Sequence, residues 1–232
     1  MVPLMALLYV IGGLFVVLSN ADQIIPAFKM IFVGAFDPSA ATGGIIGAGV
    51  KEAIRYGVAR GLFSNEAGMG STPHAHAVAK VQYPAQQGLM GIVSVFIDTF
   101  VVLNMTALVI FVTGALDGTT TGIALTQKAF STGLGAFGIK FVAICLLFFA
   151  FSTIIGWYFF GEQNVKYLFG VKAVKVYACI AVVCVALGAV LEAPLVWNLS
   201  DLFNALMVFP NLLALLALSG LVAKAARGGD AL

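Results

Sequence analysis

The sequence predicts an all-α polytopic membrane protein of about six spans, and three observations carry that prediction. Of 232 residues, 61% are hydrophobic and only 9% are charged. An ordinary soluble domain is about 45–50% apolar and about 25% charged. Second, charge-free runs recur at lengths suited to a hydrocarbon core, which a helix crosses in about 20 residues. Third, runs such as residues 141–150, Phe-Val-Ala-Ile-Cys-Leu-Leu-Phe-Phe-Ala, do not alternate apolar with polar, so barrel strands are excluded. The same composition excludes a disordered chain. Twelve basic against ten acidic residues, with no basic run, exclude a nucleic-acid binder. Cys145, Cys179 and Cys184 are odd in number and lie in apolar segments, so no disulfide scaffold or metal-ligand spacing is present.

The elements follow in order, within a single transmembrane domain over residues 1–232. Residues 1–21, 141–161, 176–191 and 202–223 hold no Asp, Glu, Lys or Arg, and 81–116 is broken only by Asp98. Spans are therefore expected near 3–20, 86–114, 139–161, 173–191 and 200–222, with a sixth, irregular one within 43–82. The first run lacks the charged flank and cleavage site of a leader, so it reads as a span. Lys80, Lys166, Lys172, Lys175, Lys224 and Arg227 gather on one side of this topology, and Lys29, Lys128 and Lys140 on the other. The richer side is expected to be cytoplasmic, with 21–42, 115–138 and Glu192 outside. Segments 22–36 and 121–132 read either as short surface helices or as packed connecting loops. Pro194 suggests a boundary and Pro210 a kink.

The irregular segment is the chemical centre. It holds Lys51, Glu52, Arg55, Arg60 and Glu66 among eight glycines from Gly43 to Gly70. Gly61 can end one helix; Ser64 or Asn65 can cap the next, with Glu66 in its first turn. Thr72 followed by Pro73 is a second start signal. The expectation is an unwound stretch at residues 61–64. Lipid cannot satisfy freed backbone groups, so a break at membrane depth must line a cavity or be buried in protein. An ordinary loop joining two helices fits the composition equally well.

The run Gly61-Leu-Phe-Ser-Asn-Glu-Ala-Gly-Met-Gly-Ser71 resembles the signature of the alanine or glycine:cation symporter family. The likeness continues in Ala53-Ile-Arg-Tyr-Gly-Val-Ala-Arg60, Phe96-Ile-Asp-Thr99 and Ser152-Thr-Ile-Ile-Gly-Trp-Tyr158, and covers essentially the whole chain. It implies a leucine-transporter-like fold of two inverted five-helix repeats whose first and sixth helices are broken. This chain would supply span five and spans six to ten. Family members are roughly twice as long, consistent with that two-repeat plan. The resemblance therefore makes this a C-terminal portion or a truncated product, with the N-terminal half of the transporter as its absent partner.

The implied function is sodium-coupled symport of a small neutral amino acid, alanine or glycine, across the cytoplasmic membrane by alternating access. A proton is the alternative coupling ion, and no other cofactor is implied. Substrate contacts would come from Gly61, Phe63, Ser64, Thr153 and Trp157. Thr153 and Trp157 lie four apart and share a helix face; by residue type alone they read first as core packing, with Trp157 in the interfacial aromatic belt beside Tyr158, and the resemblance favours the substrate contact instead. A cation site would involve Phe149, Ser152 and Thr153, since hard oxygen ligands suit a small hard cation. Ser and Thr in membrane helices also bond the carbonyl one turn back. Arg60, Glu66 and Asp98 form a candidate intramembrane charge network, because a carboxylate in a membrane needs a partner. His74 and His76 read as solvated residues at a helix end, and Asp201 and Asn204 as a gate or cap. Two rival readings remain: a non-transporting membrane scaffold, and a membrane enzyme using His74, Glu66 or Ser64.

Overall fold

The computed structural model describes residues 2–36 and 48–228. Its elements are α1 (Val2–Ser19), a short 3-10 turn, α2 (Ile24–Phe36), α3 (Ala48–Ser64), α4 (Thr72–His76), α5 (Pro84–Phe96), a π-helical stretch (Ile97–Leu103), α6 (Asn104–Val112), α7 (Gly122–Leu134), α8 (Ala136–Phe169), α9 (Val171–Gly188) and α10 (Ala193–Gly228). Among the described residues there are helices and no strands. Four helical stretches are long and apolar enough to cross a membrane: Pro84–Val112, Ala136–Phe169, Val171–Gly188 and Ala193–Ala225. Pro3–Ser19 and Ala21–Gly34 add a fifth if that pair, bent by 85°, is one span. The irregular segment expected within 43–82 is represented by α3, a break and α4, its residues 43–47 lying outside the described ones.

The chain divides into two compact units, Met1–Gly57 with Phe96–Ser152, and Val58–Val95 with Thr153–Leu232. In the first unit, α6 packs against α1, α2 and α7. Its core joins Tyr9, Val16, Ala27, Val109, Val112, Phe130, Phe141, Val142 and Cys145. The Tyr9 hydroxyl shares a 2.7 Å hydrogen bond with Thr106 Oγ1, so the one polar end of this aromatic side chain is satisfied. Gly138 lies so close to the Phe130 backbone that a β-carbon there would overlap it. Small residues at such points allow helix backbones to approach, which is how helices associate where lipid is as apolar as the side chains.

Segments 22–36 and 121–132 form helices, and each contributes buried residues to this core while Ile25 and Phe32 on α2 stay exposed. Ala27 on α2 and Ala129 and Phe130 on α7 are fully buried.

The second unit is built differently. Among its described residues only Met69 and Ser71 are buried. It holds the end of α3, the break, α4, α5, the distal part of α8, α9 and α10. Pro194 sits in the first turn of α10, where a missing N–H costs nothing. Pro210 lies inside that helix, which runs on through it.

Candidate functional site

The site grows from the way α3 ends. α3 runs unbroken through Gly61 to Ser64, so none of the expected positions 61–64 is unwound; the break begins four residues later than expected and covers Asn65–Ser71. The Gly61 carbonyl accepts both the Asn65 backbone N–H at 3.2 Å and the Asn65 side-chain amide at 3.1 Å. Asn65 thus closes the preceding helix instead of capping the next. Asx side chains serve either end of a helix, and the sequence does not say which. Glu66 N–H then bonds the Phe63 carbonyl at 3.1 Å and Ala67 N–H the Leu62 carbonyl at 2.9 Å. This pair of bonds is the Schellman closure. Its left-handed position is held by Glu66, at φ 49°, where glycine is the usual residue.

Glu66 offsets that strain with its carboxylate. Oε2 accepts the Ser71 hydroxyl at 2.7 Å and the Thr72 hydroxyl at 2.5 Å. The loop Glu66–Thr72 is therefore stapled by charge-assisted bonds. Gly68 and Gly70 add two more left-handed turns, at φ 75° and 76°. Asn211 of α10 donates to the Gly68 carbonyl at 2.8 Å, giving one freed backbone acceptor the partner it needs. α4 starts at Thr72–Pro73, where the sequence signals a start, and His74 on it bonds the Ser71 carbonyl through Nδ1 at 2.9 Å.

A cavity of about 470 Å³ lies against this break, with Met69, Gly70, Ser71, His74, Trp157 and Asn211 in its wall. Its volume is within the roughly 300–1,000 Å³ usual for small-molecule sites. A larger, mainly apolar cavity of about 1070 Å³ adjoins it and is lined by Thr153, Trp157, Tyr158, Tyr177, Cys184 and Met207 among others. Trp157, Tyr177 and Met207 border both cavities. The Trp157 ring is fixed edge-on to Phe160 at 5.8 Å. Gly161 leaves no room for a β-carbon beside the Tyr177 hydroxyl, and this brings α9 against α8.

Of the expected substrate contacts, Thr153 and Trp157 share the apolar cavity, and Trp157 also reaches the break. Gly61, Phe63 and Ser64 lie in the last turn of α3 and line neither cavity. Phe63 packs edge-on to Trp197 at 5.8 Å. Of the expected cation ligands, the Ser152 hydroxyl donates to the Phe149 carbonyl at 3.0 Å, within the first unit. Thr153 belongs to the second unit.

The candidate charge network divides. Arg60 makes a two-pronged pair with Asp201, at 2.7 and 3.1 Å, and its guanidinium lies 4.1 Å from the centre of the Trp197 ring. Glu66 is engaged by Ser71 and Thr72, so Arg60 and Glu66 do not pair with one another. Asp98 sits in the π-helical stretch of the first unit. Such an irregularity inside a helix often marks a functional position. Ser71, Asn164, Tyr177, Met207 and Asn211 were not singled out in the sequence. Asn211 carried a signal: an amide directly after a proline in a charge-free run is costly at membrane depth unless it has a backbone partner.

Comparison with known proteins identifies the family of the chain. The profile described as the Sodium:alanine symporter family matches residues 1–228. An "Uncharacterized transporter" of Haemophilus influenzae is 45% identical over 219 residues, covering 94% of this chain and 48% of the relative. The "Sodium/alanine symporter AgcS" of Methanococcus maripaludis is 44% identical over 225 residues, covering 95% and 49%. The "Probable sodium/glutamine symporter GlnT" of Bacillus subtilis is 40% identical over 223 residues, covering 95% and 46%. The chain spans about half the length of the curated relatives it matches.

Proposed function

The chain belongs to the Sodium:alanine symporter family, and from that premise we propose that it takes part in sodium-coupled symport of a small neutral amino acid. Together with its apolar helices, this membership makes it a multi-pass membrane protein. The cytoplasmic membrane is the proposed location, and alternating access within a leucine-transporter-like fold the proposed mechanism. Alanine or glycine is the proposed substrate, with sodium rather than a proton as the coupling ion.

The observation that carries the reading is the stapled break of Asn65–Ser71 beside a cavity walled by Trp157. Irregular backbone at membrane depth persists where it lines a cavity, and its dipoles can meet a zwitterion and a cation there. The aromatic wall selects by size, since a clash excludes a larger side chain more strongly than one missing contact weakens a smaller one. The Ser71 hydroxyl donates to Glu66, and His74 bonds the Ser71 carbonyl, so the hydroxyl holds the break in shape and the imidazole rests against it.

The reading is tested by uptake of radiolabelled alanine into vesicles containing the protein, with an inward sodium gradient or with choline replacing sodium. Sodium-driven uptake, reduced at least tenfold in Trp157→Ala, is expected; tenfold corresponds to about 1.4 kcal/mol. Uptake indifferent to both would overturn it. Comparing the chain alone with the chain co-expressed with the complementary half of a relative shows whether it needs that partner.

A further inference from the structure

We propose that His74 and Asn164 form a partition between the cavity at the break and a polar vestibule at the Lys166 end of α8, and that the transported solute passes by displacement of the His74 ring. The inference rests on the transport reading for its solute; its geometry does not.

Two observations carry it. The cavity at the break and a second cavity of about 660 Å³ have His74 and Asn164 in common. A residue in the wall of both stands between them. The second cavity is completed by Gln163, Lys166 and Tyr167. Its wall is rich in donors, with an ammonium, two amides, a phenol and an imidazole. That chemistry suits the carboxylate of a zwitterionic amino acid on its way to or from the break. Lys166 occupies the last turn of α8, where a cation is favoured by the helix dipole.

His74 has the attachments of a movable partition. Its Nδ1 bonds the Ser71 carbonyl at 2.9 Å, and its ring packs at 6.1 Å from Phe160. Asn164 is tied to its own helix by an amide bond to the Phe160 carbonyl at 2.8 Å. Swinging the imidazole away breaks one hydrogen bond and one ring contact, and the Asn164 amide is held by one hydrogen bond to its own helix. The His74 ring is the bulkier of the two, so its displacement opens the partition. The same logic identifies Trp157, Tyr177 and Met207, shared by the break cavity and the apolar cavity, as a second narrowing further along.

The test reads accessibility, not transport. Cys145, Cys179 and Cys184 are replaced, and a single cysteine is placed at Met207, in the wall of the break cavity. The full protein is then treated with a charged methanethiosulfonate reagent. Labelling of M207C is expected to accelerate several-fold with His74→Ala and with Asn164→Ala, and to slow several-fold with His74→Trp. A cysteine at Tyr167, 89% exposed, should react at one rate throughout. A cysteine at Ala129, fully buried in the other unit, should stay protected in any folded variant. If it becomes reactive in one variant, the remaining two decide. Equal rates at Met207 in every folded variant would overturn the partition, even where uptake is sodium-driven. Altered rates without sodium-driven uptake would keep the partition and sink the transport reading.

Discussion

The two units of the chain solve opposite problems. The first buries a cluster of apolar side chains around α6, and the second buries almost nothing beyond Met69 and Ser71. The contrast is sharpest where each ends a helix in the same way. α6 closes with Gly114 N–H on the Phe111 carbonyl at 3.1 Å and Ala115 N–H on the Ile110 carbonyl at 3.2 Å, with Gly114 at φ 64°. α3 closes with the same bond pattern but with Glu66 at the left-handed position. The first unit uses the residue that suits the turn. The second accepts local strain, which costs on the order of 1 kcal/mol, and gains a carboxylate inside the break. Packing governs one unit and polar satisfaction the other.

The largest expected effect that could break this comparison is in the packed unit. Phe130 is fully buried, so Phe130→Ala should destabilise the protein by about 3 kcal/mol or more. Unfolding monitored by SDS titration would measure it, and Met69→Ala in the other unit should cost less because its surroundings are cavity-rich. A loss at Met69 equal to that at Phe130 would erase the distinction.

A middle-sized effect is expected at Arg60. The pair with Asp201 is about one-third exposed on each side, at 32% and 38%, so solvent screening limits its worth. A double-mutant cycle with Arg60→Ala and Asp201→Asn should give a coupling of about 1 kcal/mol, part of it from the bidentate geometry. Trp197→Leu should remove a further fraction of that order by deleting the cation–π contact.

The smallest effect is electrostatic and lies outside the membrane helices. Lys128 bonds Asp117 at 2.7 Å, and the Thr119 and Thr120 backbones add two further bonds. Lys128, with those donors, holds the Asp117 carboxyl well below the usual carboxylate range. A depressed value means the contact is complete above the ordinary carboxylate pKa, about 3.9. It is lost only as pH falls through the lowered one. Between pH 7 and 5 the loop before α7 should therefore be unchanged by NMR. Lys128→Ala should move the Asp117 titration upward; an unmoved titration would show that the loop backbone alone suffices.

Much of the fold was legible, because apolar length is a property of consecutive residues. The charge-free runs near 86–114, 139–161, 173–191 and 200–222 meet helices at Pro84–Val112, Ala136–Phe169, Val171–Gly188 and Ala193–Ala225, of which the second and fourth run beyond the expected span at both ends. The short start at Thr72–Pro73 was legible for the same local reason. The partner of each polar group was not. Nothing near Arg60 in the chain points to Asp201, 141 residues away, and nothing near Gly68 points to Asn211. Nor could Asn65 be assigned to the end of α3, since an amide caps in either direction.

By itself, then, the sequence determined that the chain must live among lipids as helices and pointed to a break at residues 61–64, because hydropathy, glycine and proline act over a few residues. Only the tertiary structure decided where that interruption falls, which carboxylate holds Arg60, and that Trp157 and His74 wall the space beside it. Those outcomes depend on which distant groups meet, and a buried donor or acceptor accepts whichever partner the packing brings within reach.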